Sequence, residues 1–219
     1  MGAAWELRLL EDTLHGGGTV DLPADRTNRV AYVAHGTVVV GGAEYGDDTA
    51  WRGRGAARLV AGAHGAAVWR YELAKADAPA TEASGGRTVE KLRHRLGSLP
   101  PAEDGLLVRC DSVAFPPRGC AYLHTHQGPG IRCLIEGGIR IDTEGRSTSY
   151  APGGAWFEGG PEPVFAQAAA DRPSRFVRVM LLPARLLGQS SIHYVREDDR
   201  AKPKSQRYRS YVDAPIALD

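Results

Sequence analysis

The stretch LHTHQGPGIRCLIEGGIRI, residues 123–141, sets His124 and His126 one residue apart, follows them with a Gly-Pro-Gly turn and closes on an alternating apolar run. On a β-strand alternate side chains share a face, so Tyr122, His124 and His126 should point one way and Leu123 and Thr125 the other. Two imidazoles about 7 Å apart along one strand face can converge on a single cation. Past the turn the same alternation puts Gly130, Arg132 and Leu134 on one face and Ile131, Cys133 and Ile135 on the other. An arginine inside a β fold needs an anion, either a carboxylate such as Glu136 or a ligand, which makes Arg132 a candidate substrate anchor.

A third ligand is available in GGAWFEGG, where Glu158 follows Trp156 and Phe157. Two histidines with one carboxylate leave coordination positions open for substrate and suit Fe(II) first, with Mn, Ni or Zn as alternatives. Gln167 and His193 are the other candidates for the third position. Tyr122 could move a proton, and Trp156 and Gln167 could contact substrate, although Tyr122, Trp156 and Phe157 are equally suited to packing.

The elements that must hold these residues are strands. Short runs rich in Val, Ile, Tyr and Ala, among them NRVAYVAHGTVVV, LLVRCDSVAF and RFVRVMLLP, recur between Gly, Pro and Asp, the pattern of an all-β fold. TVEKLRHRLGSLPP reads as a short linking helix, with Val89, Leu92 and Leu96 at helical spacing and Gly97, Pro100 and Pro101 ending it. The expected division is a first lobe over 1–86, a helical linker over 87–104, a second lobe over 105–183 and an extension over 184–219. The lobes read as copies. Aligning Gly36 with Gly137 sets NRVAYVAHGTVVV on PGIRCLIEGGIRI, AWRGRGAARLVAG on AWFEGGPEPVFAQ, and VWRYEL on FVRVML. The first copy then has Pro23–Asp25 in place of His-Thr-His and Gly53 in place of Glu158, so it should lack the chemistry.

These residues resemble the cupin superfamily, in its two-domain bicupin form. Its first motif, G-x5-H-x-H with a later Glu and Gly, is matched by His124, His126 and Gly137, with the opening glycine one residue out at Gly119 and Gly130 at the glutamate position. Pro152 and Gly154 match the second motif. Its histidine position falls on Phe157, so an inward Glu158 would call for a one-residue bulge. The resemblance implies two tandem double-stranded β-helix (jelly-roll) barrels, the first degenerate and the second holding a divalent metal through His124 and His126, with Glu158 as the preferred third ligand on the residue reading above.

Lys and Arg total 27 against 26 Asp and Glu in 219 residues, a balance that favours neither nucleic acid nor an anionic membrane as partner. Acidic residues near the start and the lack of a long apolar run point to a cytoplasmic protein. Cys110, Cys120 and Cys133 lack metal or redox spacing and read as free thiols. The preferred function is a metal-dependent enzyme of oxygenase type acting on a small, oxygen-bearing anion. A metal-assisted isomerase or lyase and a non-catalytic ligand-binding cupin are the alternatives. Two barrels in one chain should mimic the dimer that single-barrel relatives form, with the lobes packing by their sheet faces and the tail from 184 onward crossing between them or to a second chain, the latter giving a homodimer.

Overall fold

The computed structural model describes residues 4–101 and 103–218, most of them in antiparallel strands. Contacts divide the chain into two units, one running to Leu99 and taking in Ala217, the other spanning Pro100–Ile216.

The first unit holds β1 (Trp5–Leu22), β2 (Asn28–Val40), β3 (Ala43–Tyr45), β4 (Thr49–Arg54), β5 (Ala57–Lys75) and β6 (Ala83–Leu96) in one sheet ordered β3-β2-β5-β1-β6, with β4 paired to β2. The long strands are interrupted by register shifts between Leu14 and Thr19 on β1 and between Gly36 and Val38 on β2. Residues from both sides of these shifts, Leu14 with Val20 and Leu22, Val33 with Val38 and Val40, meet in one core, so the sheet closes on itself.

The expected linking helix over 87–104 is instead the edge strand β6, and the first unit runs past residue 86 to include it. Val89, one of the three residues of the supposed apolar face, is 38% exposed. The basic residues between the apolar ones meet acids of β1: Lys91 Nζ lies 2.8 Å from Glu11 Oε2 and Arg93 Nη1 lies 2.8 Å from Glu6 Oε1. A waiting strand edge with complementary charge overrides a weak helical spacing.

The second unit comprises β7 (Leu106–Phe115), β8 (Cys120–His126), β9 (Gly130–Glu136), β10 (Ile139–Thr143), β11 (Arg146–Tyr150), β12 (Ala155–Glu158), β13 (Val164–Ala168), β14 (Ser174–Pro183), β15 (Ile192–Tyr194), a short helix α1 (Glu197–Ala201) and β16 (Arg207–Ile216). They form two five-stranded sheets, β11-β10-β13-β8-β15 and β12-β9-β14-β7-β16. Both contribute to a core that includes Phe115, Leu134, Ile141, Trp156, Val164 and Phe176. Residues beyond 183 are integral to this barrel. β15 adds to β8 in one sheet and β16 adds to β7 in the other, because each of those strands otherwise ends its sheet with unpaired backbone.

The internal repeat is visible in backbone detail. Gly36 and Gly137 both have positive φ, 82° and 83°. A Cβ on Gly36 would press on Gly65 O and Ala66 Cα, and one on Gly137 on Pro173 O and Ser174 Cα, which correspond when the VWRYEL–FVRVML match is carried back three residues. Arg29 pairs with Gly53 and Glu72 as Gly130 pairs with Glu158 and Met180. Cys110 and Cys133 are buried and Cys120 is half-buried, and the three form no disulfide. No helix among the described residues is long and apolar enough to cross a membrane.

Gly137→Ala would place its Cβ 2.1 Å from Pro173 O at a φ of 83° and should cost about 2 kcal/mol or more. Gly145→Ala, with φ 71° but open space around it, should cost only about 1 kcal/mol. Chemical denaturation of the two variants checks the difference.

Candidate metal centre

Three strands bring the site together. β8 carries His124 and His126, 4% and 5% exposed, and β12 carries Glu158 at 7%. Their imidazole Nε2 atoms are 3.2 Å apart, and His126 Nε2 lies 3.2 Å from Glu158 Oε2. Glu158 needs no bulge to face inward. The β9–β12 ladder is regular from Ala155 to Glu158 and sets Glu158 directly opposite Gly130, with Trp156 opposite Arg132. Phe157 is only half-buried, at odds with the motif match that put it in the ligand slot. The carboxylate has in effect moved one strand sideways from position 130. A side chain at Gly130 would meet Val179 O at 2.5 Å and Arg132 Nη1 at 3.1 Å.

Arg132 fills the space that opens there. It is 1% exposed; Nη1 donates to Gly130 O at 2.7 Å and Nη2 lies 2.7 Å from Glu158 Oε2. Its partner is therefore Glu158, while Glu136 pairs with Arg175. Trp156 Nε1 donates to Glu158 Oε1 at 2.8 Å, fixing the carboxylate from the other side. Oε2, close to both Arg132 and His126, meets neither along a well-directed hydrogen bond. His124 Nδ1 is 2.7 Å from the Tyr122 carbonyl, so Nδ1 carries the proton and Nε2 presents a lone pair.

Burial pushes the His124 pKa down and that of His126 to about 3, outweighing the pull of Glu158, so both rings are neutral. Burial alone would raise Glu158; the Arg132 charge, His126 and Trp156 overcome it and hold the carboxyl well below its usual range. Arg178, opposite Asp111 at 2.6 Å, is held charged by the same kind of pairing.

A cavity of about 20 Å³ opens between His124, His126, Arg132, Glu158 and Arg178, with Phe115 and Ile141 among its apolar walls. Among the described residues no three His, Cys, Asp or Glu side chains are already gathered round one ligand position. The histidines face each other, and Glu158 is shared between His126 and Arg132. The donor types nonetheless fit a divalent cation: two neutral imidazoles meeting at Nε2 and an ionised carboxylate oxygen lacking a directed hydrogen bond.

Other expected site residues lie elsewhere. Tyr122 does not share the face of His124. Val164 pairs with His124 but Ala166 with Ala121, so β8 holds an extra residue between them. Ala121 takes the inward place and the Tyr122 ring lies under Lys202 and Lys204. Gln167 points outward, donating to the Arg118 and Gly119 carbonyls. Trp156 is a support of Glu158 and not part of the cavity wall, and His193 is exposed. The sequence reading missed Gln206 and Tyr208, which line the cavity from the C-terminal segment. A polar Gln and an amphipathic Tyr in a charged tail give no periodic signal that would mark them as interior.

No protein-family model matches the sequence, and no curated protein matches it. Solved structures do. A two-residue deletion mutant of Bacillus subtilis oxalate decarboxylase superimposes with a TM-score of 0.58 at 13% identity, over 84% of this chain and 73% of that one. A tryptophan-to-tyrosine variant of the same enzyme gives 0.58 at 12%, over 84% and 73%. A structure described for its Mn(II) centres gives 0.58 at 12%, over 82% and 69%.

The depressed imidazole pKa values have a consequence for the metal-free protein. Between about 6.5 and 3 the unfolded chain binds a proton at His126 that the folded chain refuses, so stability falls as pH drops through that window, by up to about 1.4 kcal/mol per pH unit. Glu158 adds to the loss below its ordinary 4.5. Urea melts of chelator-treated protein should show this slope, and His126→Gln should flatten it. With barrels built from the same strand pairings in both halves and a fold shared with a two-barrel decarboxylase, the chain has the bicupin fold.

Proposed function

We propose that the second barrel binds one divalent metal ion through His124, His126 and Glu158 and acts on a small, oxygen-bearing anion. The observation that carries this is the meeting of the two imidazoles. Donors held about 2.1 Å from one ion at angles near 90–110° lie roughly 3.0–3.4 Å apart, and the Nε2 atoms are 3.2 Å apart. A bound ion would supply Lewis acidity and open coordination positions for substrate.

The chain's own residues do the remaining work. The Tyr122 carbonyl fixes the tautomer of His124. Trp156 and Arg132 keep Glu158 ionised and aimed with one oxygen toward the histidines. Phe115, Ile141 and Phe176 keep bulk water from the cavity. Arg132 acts through Glu158, which revises its expected part as the direct substrate anchor. Fe(II) with oxygen-dependent chemistry is our first reading, with Mn, Ni or Zn as alternative ions; the described Mn(II) centres of a structural neighbour support Mn. A metal-assisted lyase is the second reading, favoured by the decarboxylase identity of those neighbours. Oxygen uptake during turnover separates the two.

Metal analysis of the purified full chain should approach one ion per chain and collapse in His124→Ala and His126→Ala. Gln167→Ala, outside the cavity, should leave it intact. Glu158→Gln should lose metal and also about 3 kcal/mol of stability, because Arg132 is left buried without its carboxylate. Adding Arg132→Met should restore much of that stability without restoring metal. Undiminished metal in the double histidine variant would contradict the assignment.

A further inference from the structure

Two buried polar side chains of the C-terminal segment have no hydrogen-bond partner among the described residues. Gln206 is 9% exposed and lines the inner cavity, and neither its Oε1 nor its Nε2 has a hydrogen-bond partner. Ser191 is 2% exposed, and its Oγ is likewise without one. Ser191 lines a second, larger pocket of about 400 Å³ whose walls also include Arg109 and Lys204. Arg178, Ile192 and Tyr208 border both spaces, so these three side chains form the partition between them. Ile192 stands opposite His126 in the β8–β15 ladder, and Tyr208 is half-exposed. A tail that only covered sheet edges would be expected to bury its polar groups paired, as folded chains do.

We propose that Gln206 is a substrate-binding residue that recognises the hydroxy-carboxylate end of a 2-hydroxy acid in the inner cavity, with the remainder of the substrate passing the Ile192–Tyr208 partition into the larger pocket. This rests on the metal reading above and deepens it by naming the substrate class. A carboxamide offers one acceptor and a two-proton donor. A 2-hydroxy carboxylate is its complement: the hydroxyl donates to Oε1 and a carboxylate oxygen accepts from Nε2. Charge agrees, since Arg132 and Arg178 line the inner cavity and Glu158 is the one carboxylate among its lining residues. The inner cavity of about 20 Å³ has room for a water, so the hydroxy-carboxylate enters it as the Ile192–Tyr208 partition shifts toward the larger pocket of about 400 Å³.

The test is titration of the Mn(II)-loaded full chain with lactate and with propionate, which differ by the hydroxyl, in the parent, Gln206→Leu and Gln206→Met. The parent should bind lactate more tightly than propionate. Both variants should weaken lactate about tenfold and erase the preference, with metal content unchanged. Melting of the metal-free variants gives a second readout, expected to be level with or above the parent because an unsatisfied buried amide has been removed. Unchanged lactate affinity with metal in place, or a lower melting temperature in both variants, would overturn the inference and leave the metal reading standing. A parent chain that takes up no metal would overturn both.

Discussion

Glu158 is an ionised carboxylate inside a barrel that offers it almost no water, and an isolated charge there would simply take up a proton. Arg132 supplies the opposite charge, Trp156 a directed hydrogen bond to one oxygen, and His126 a neutral ring beside the other. Gly130 is what makes this geometrically feasible, because any side chain at that position would collide with strand β14 and with the guanidinium. The regular β9–β12 ladder then aims Glu158 across at the histidines. Removing any one of these supports weakens the hold on the ionised carboxylate, and with it the aim of the oxygen that faces the imidazoles.

The first barrel meets the same requirement in a different way. Where the second has Gly130 and Met180, it has Arg29 and Glu72, joined at 3.1 Å. Glu72 also takes Arg8 at 2.6 Å and pairs with Arg70, which reaches Asp12 at 2.8 Å. Glu6, Arg8, Asp12, Arg29, Arg70 and Glu72 are all 2% exposed or less. Asp25, aligned with His126, is spent on Arg29 at 2.8 Å. Charge compensation there is supplied within the chain, leaving no pair of imidazoles for a cation. Buried pairs of this kind seldom add net stability over apolar packing, but breaking one is costly, which makes the first barrel sensitive to single charge changes.

Much of this was legible in the residues. The duplicated Gly36 and Gly137 demand the same left-handed backbone and the same close approach, so aligning them aligned the barrels. His-x-His announced itself by strand alternation, and alternation also placed Gly130 and Arg132 on one face. It failed where the backbone departs from strict alternation. The extra residue between Ala121 and His124 turns Tyr122 outward, and no local signal announces it. It failed for TVEKLRHRL because a strand partner far away in sequence decided the conformation. Gln167 was misplaced by reading residue type without face. Gln206 escaped notice because the register that buries it is set by β16 pairing with β7 across roughly a hundred residues of chain.

If the facing imidazoles and Glu158 are the ligands of one ion, anomalous diffraction from crystals of the full chain grown with Mn(II) should give a single strong peak in the second barrel, bounded by His124 Nε2, His126 Nε2 and Glu158 Oε2. A barrel interior without a peak, its imidazoles still facing each other across 3.2 Å and Glu158 still closed onto Arg132, would contradict it.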